Sequence, residues 1–133
     1  MVKFAFILFL LSPLNLSEYS PVNGFINSET LTVTATVYNA VESQCDASPL
    51  ITASGFRLDP NDQYQHRVVG ISRDLKHYLN FGDSIYVTGT DIYDGWWYVE
   101  DVMAARWYRR IDFLINDDMP IGKWNNVKIT FSR

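Results

Sequence analysis

Residues 29–38 read ETLTVTATVY, with Leu31, Val33, Ala35 and Val37 set strictly against Thr32, Thr34, Thr36 and Tyr38. Successive side chains of a strand point to opposite faces, so this period-two run of β-branched residues describes a strand with one buried side. Downstream the same signal recurs. Arg67–Ser72 (RVVGIS), Ser84–Gly89 (SIYVTG), Trp96–Asp101 (WWYVED), Arg110–Ile115 (RIDFLI) and Asn126–Phe131 (NVKITF) are short apolar or alternating segments. Turn formers separate them, as in Asn80-Phe81-Gly82-Asp83 and Asp91–Gly95. Leu50–Ser54 is short and apolar before a turn at Gly55, and Asp74–Leu79 supports a helical turn at most. Six or so short strands at close spacing, with little helix, predict an all-β barrel or sandwich.

The 133 residues suffice for one domain with one core, and 47% hydrophobic with 15% aromatic residues is too rich for a disordered chain. A formal charge of −4 argues against nucleic acid as the partner, because phosphate tracking needs a clustered basic face. The densest basic cluster is Arg106, Arg109 and Arg110, interleaved with Trp107 and Tyr108. It is too small for a backbone-tracking groove but sufficient for one anionic or sugar ligand.

At the N-terminus, Lys3 precedes an apolar run from Phe4 to Leu11 that Leu14 and Leu16 extend before polar residues begin. That layout predicts a secretory signal peptide or short N-terminal anchor over 1–17, and hence export to the periplasm, cell envelope or medium. The run falls short of the roughly 20 apolar residues of a membrane span, so no integral membrane domain is expected. Residues 18–28 read as a linker and 29–133 as the domain. Cys45 is the single cysteine, so no internal disulfide forms.

Most catalytic constellations are missing. No His or Cys pair has metal-ligand spacing, and the pairs Asp91/Asp94 and Asp117/Asp118 lack a calcium-loop framework. They read as solvated turn carboxylates, and neither a metal nor a cofactor is implied. No nucleophile elbow or phosphate loop is present. Two carboxylates within strands remain. Asp101 ends WWYVED, and Asp112 lies inside RIDFLI, between Ile111 and Phe113. If those neighbours face the core, Asp112 points the other way and can line a groove. An Asp in such a run marks an edge position, an ion pair with a neighbour such as Arg110, or a working carboxylate. The chemistry it serves best is glycosidic cleavage, which needs an acid of raised pKa to protonate the leaving oxygen. Trp96, Trp97, Trp107, Tyr108 and Trp124 offer flat platforms for sugar rings, although core packing claims a good part of them.

From Thr34 to Arg133 the chain resembles the three-aspartate (3D) domain of bacterial cell-wall enzymes. That domain is the catalytic barrel of membrane-bound lytic transglycosylase A and occurs in small stationary-phase muralytic proteins. The similar segments run in order: TATVYNA, PLITASG, VGIS followed by LNFGDSIYV, VEDVMAARWYRRIDF, and IGKWNNVKITF. Asp101 and Asp112 keep the family's spacing between its last two aspartates. Ser72 stands where the family has its first, with Asp74 two residues on as a substitute, and Met103-Ala104 replaces a Gly-Gly pair.

The resemblance implies a six-stranded double-psi β-barrel acting on peptidoglycan glycan strands. It implies a lytic transglycosylase that cleaves the bond between N-acetylmuramic acid and N-acetylglucosamine. Asp112 would be its general acid and base, and Asp101 would support it by a hydrogen bond or by raising its pKa. Thr36, Tyr38, Thr52, Asp74 and Arg106 are the candidate substrate contacts. Two other readings stand beside it: a non-catalytic, expansin-like glycan-binding barrel, and an inverting hydrolase with Asp46 as the second carboxylate.

Overall fold

The computed structural model describes residues 27–40 and 49–133. These form six strands: β1 (Ser28–Tyr38), β2 (Val68–Ile71), β3 (Ser84–Thr88), β4 (Gly95–Val102), β5 (Arg110–Leu114) and β6 (Trp124–Ser132). They close into a barrel in the order β1-β5-β2-β4-β3-β6. Among the described residues helix is limited to two short 3-10 turns, Tyr64–His66 and Arg73–His77. Of the two all-β architectures expected, the chain adopts the barrel. Two neighbouring pairs, β1 with β5 and β2 with β4, are parallel, and the other four are antiparallel. This mixed order is compatible with a double-psi path.

Each strand sends its alternate residues inward. Val33 and Ala35, Val69 and Ile71, Ile85 and Val87, Trp97 and Val99, Ile111 and Phe113, and Val127 and Ile129 form one continuous core. At roughly 1.5–3 kcal/mol for each large apolar side chain, that interior is the main stabilising term. Its densest part is aromatic. The rings of Trp97 and Phe113 lie 4.6 Å apart, and Tyr93 packs against Tyr64, Trp97, Phe113 and Trp124. The polar ends of these rings are satisfied by backbone: Trp97 Nε1 donates to Tyr93 O, and Tyr93 Oη donates to Pro120 O.

The long first strand closes the barrel by pairing on both sides. Ser28–Val33 and Ala35 pair with β6, with a register shift between Val33 and Ala35, and Thr34–Tyr38 pair with β5. Strand ends otherwise differ from the expected ones by a residue or two. Ser28, placed by the sequence in the linker, pairs with Ser132, and β6 begins at Trp124. Leu50–Ser54 makes only an isolated bridge from Ile51 to Arg57. The leader expected over 1–17 and the linker up to residue 26 lie outside the described residues, as do Cys45 and Asp46.

Phe113→Ala is expected to lower unfolding stability by about 3–5 kcal/mol in denaturant titration, while the exposed Thr32→Ala stays within about 0.5 kcal/mol. Equal effects from the two changes would mean that the barrel interior does not carry the fold.

Candidate functional site

Strand β5 sets the site. Ile111 and Phe113 are fully buried in the barrel, so the pleat turns Asp112 to the outer face. In register beside Asp112 stand Thr36 on β1 and Gly70 on β2, and beyond Gly70 stands Asp101 on β4. The row Thr36–Asp112–Gly70–Asp101 thus crosses four adjacent strands. It forms part of the wall of an open groove of about 630 Å³, together with Tyr38, Ala53, Met103, Arg106, Trp107 and Arg110.

Asp101 reaches this face through an irregularity. Val69 pairs with Val99 but Gly70 pairs with Asp101, so Glu100 is an extra residue on β4. Trp97 and Val99 point inward, and strict alternation would send Asp101 after them. The bulge turns it outward instead, a known use of bulges near functional sites. Glu100 is held in place from the neighbouring loop: Ser54 N–H donates to its carbonyl at 3.1 Å and Ser54 Oγ–H to its Oε1 at 2.6 Å.

The two carboxylates have different surroundings. Asp101 accepts from Tyr38 Oη at 2.9 Å, from Ala53 N–H at 3.0 Å and from Val102 N–H at 3.1 Å. It ties the Leu50–Leu58 loop and β1 to β4. Asp112 accepts one bond, from Thr36 Oγ1–H to Oδ1 at 2.8 Å. Burial pushes its pKa up to about 6, against the pull of that hydrogen bond and of the Arg110 guanidinium. Asp101 adds to the rise, as the smallest of these influences. Asp112 makes no ion pair, the one salt bridge among the described residues being Arg133–Glu29. Burial, more than the second carboxylate, therefore raises the Asp112 pKa.

Gly70 is the residue that sequence reasoning overlooked. A Cβ there would rest in ordinary contact, 3.6 Å from the Asp101 Cβ, and a longer side chain would project between the two carboxylates. An isolated Gly within a β-branched run is a signal of close approach or a bulge, and it was present in RVVGIS.

The other expected contacts separate. Thr36, Tyr38 and Arg106 line the groove. Thr52 does not: it is buried, with Oγ1 bonded to Ser54 Oγ and accepting Phe56 N–H. Asp74 also lies off the groove wall, where its carboxylate accepts Arg109 N–H at 3.2 Å. The buried Ser72 accepts Arg110 N–H through Oγ at 3.0 Å. Together Ser72 and Asp74 anchor the backbone that leads into Asp112. Of the aromatic platforms, Trp97 belongs to the core, Trp124 packs against it, and Trp107 faces the groove. Among the described residues no cluster of His, Cys, Asp and Glu could hold a metal ion, and no helix is long and apolar enough to cross a membrane.

A raised carboxyl pKa fixes the sign of a stability effect. Between the ordinary value of 3.8 and about 6 the folded state binds the Asp112 proton more tightly than the unfolded chain, so stability falls as pH rises through that window. Asp112→Asn keeps an acceptor for Thr36 and removes the buried charge. Denaturant titration should show it more stable than wild type at pH 8, by up to ~3 kcal/mol, and nearly equal at pH 4. An unchanged or reduced stability at pH 8 would contradict the desolvated environment described for this group.

Compared with known proteins, the chain matches no family model, no curated protein and no solved structure.

Proposed function

We propose that this protein is a peptidoglycan lytic transglycosylase of the cell envelope, with Asp112 as both general acid and general base. The reading rests on one observation above all. A carboxyl group with a pKa near 6 sits in an open groove, one oxygen fixed by Thr36 and no arginine paired to it. Such a group can carry a proton near neutral pH and release it to a leaving oxygen, the role that glycosidic cleavage requires.

The reaction balances without water. The Asp112 carboxyl protonates the glycosidic oxygen as the bond from C1 of N-acetylmuramic acid breaks, and positive charge develops at C1. The 6-hydroxyl of the same sugar then attacks C1, and the Asp112 carboxylate takes its proton. The acid is restored and the muramic acid ends as a 1,6-anhydro sugar. Asp101 is a positioning residue here: its hydrogen bonds to Tyr38 and Ala53 hold two sides of the groove at fixed spacing. Gly70 leaves room between the carboxylates, and Trp107 lines the same groove. The three-aspartate resemblance and its double-psi path belong to the same proposal, with Ser72 and Asp74 sharing the place of the first aspartate.

Hydrolysis by a carboxylate pair is less well supported. The second carboxylate of the groove, Asp101, already accepts three hydrogen bonds, and Asp46, the second carboxylate of the inverting reading, lies outside the described residues.

Two measurements test the proposal. Purified sacculi digested with the wild type should yield anhydro-ended muropeptides by mass spectrometry, and Asp112→Asn should reduce their release by about 10²–10⁴-fold or more while staying folded. Reducing ends would identify a hydrolase, and binding without soluble fragments a glycan-binding barrel. Because the active form carries the proton, kcat/KM should fall as pH rises through about 6, the Asp112 pKa. A profile that rises there would assign Asp112 the role of a base alone.

A further inference from the structure

The wall of the groove beside Asp112 carries two cations whose binding capacity nothing else in the described chain uses. The Arg110 guanidinium lies over the Trp107 ring at 4.0 Å and that of Arg106 over the same ring at 4.8 Å. Neither guanidinium enters a salt bridge or donates a hydrogen bond among the described residues, and the bond from Arg110 to Ser72 Oγ is made by its backbone N–H. Contact with an aromatic face engages the flat side of a guanidinium and leaves its in-plane N–H donors for an acceptor. In a chain of net charge −4, two unpaired arginines gathered on one tryptophan at a groove are a local reversal of sign.

We propose that Arg106, Trp107 and Arg110 form a carboxylate subsite, so that the groove selects acidic glycan strands over neutral ones. This rests on the glycan-cleaving reading of the same groove. A carboxylate suits the site better than a phosphate. Its two oxygens match the guanidinium fork, and a single charge is repelled less by the Asp101 and Asp112 that share the groove than a double charge would be. On muramic acid strands that carboxylate has two sources: the lactyl group where the stem peptide has been removed, or the stem peptide itself.

Binding, not cleavage, tests this, with the Asp112→Asn protein so that no probe is consumed. The probes are soluble glycan strands stripped of stem peptides by an amidase, the same strands after carbodiimide amidation of their carboxylates, strands with intact stem peptides, and chitin tetrasaccharide as the neutral control. Calorimetry should show stripped or intact strands bound more tightly than the amidated strands and the tetrasaccharide, and the tighter of the two identifies the source of the carboxylate. Adding Arg106→Gln and Arg110→Gln should weaken acidic strands by about 10- to 100-fold and leave the tetrasaccharide within about twofold. Arg106 is exposed, so its single variant tests the subsite even if the pair of changes disturbs folding. Arg110→Lys, which keeps the charge and loses the fork, should recover only part of the loss. Equal affinity for acidic and amidated strands, an acidic preference that survives both Gln changes, or no binding of any strand would overturn the subsite. Acid-selective binding by a wild type that releases no fragments would instead leave the subsite standing and remove the transglycosylase.

Discussion

The groove depends on one extra residue in β4. Without the bulge at Glu100, Asp101 would continue the inward series of Trp97 and Val99 and bring a carboxylate into an aromatic core. With it, Asp101 joins Thr36, Asp112 and Gly70 on the outer face, and the hydrogen bonds from Tyr38 and Ala53 find their acceptor. A loop, strand β1 and the last residue of β4 are all gathered by that carboxylate. The bulge is secured in turn by Ser54, from the loop that Asp101 anchors, so each contact supports the other.

Against this well-satisfied aspartate, Asp112 is costly. Its strand neighbours are two of the most deeply buried residues of the barrel, and the Thr36 hydroxyl and the Arg110 guanidinium only partly offset the cost of its charge. A serine or threonine would fill the same outward position on β5 with no buried charge to offset. Burial that raises the pKa to about 6 destabilises the charged carboxylate, and the same burial makes the group able to hold a proton at higher pH than an exposed aspartate. The backbone below it is correspondingly fixed, with Arg109 and Arg110 N–H held by Asp74 and Ser72.

The strands were legible in the sequence because each buries one face and leaves the other open, which writes itself as strict alternation in ETLTVTATVY, whereas their closure into a barrel rather than a sandwich was not in that pattern. The outward direction of Asp112 followed from the same rule. Asp101 was found for a different reason, its position at a strand end and its spacing, since alternation alone points it inward. A bulge is a property of two strands in register, and no single strand's pattern contains it. Thr52 and Asp74 illustrate the converse. Both stand near groove residues in the chain, yet each spends its polar atoms on backbone N–H groups, a use that composition does not separate from ligand binding. The tryptophans divide by partner in the same way: Trp97 meets Phe113 inside, and Trp107 meets two arginines outside.

The arginines and the acid are not independent. The Thr36 hydrogen bond and Arg110 pull the Asp112 pKa down while burial pushes it up, and the value near 6 is the outcome of that opposition. A ligand carboxylate paired with Arg110 would cancel much of the arginine's share of the downward pull and would exclude water from the same wall. Both changes favour the protonated acid. An acidic glycan would thus bring Asp112 closer to its reactive form by binding, whereas a neutral strand would leave Arg110 acting on it in full. Selectivity for charge and readiness of the acid would then have one origin, the placement of a cation next to a buried carboxyl that does not pair with it.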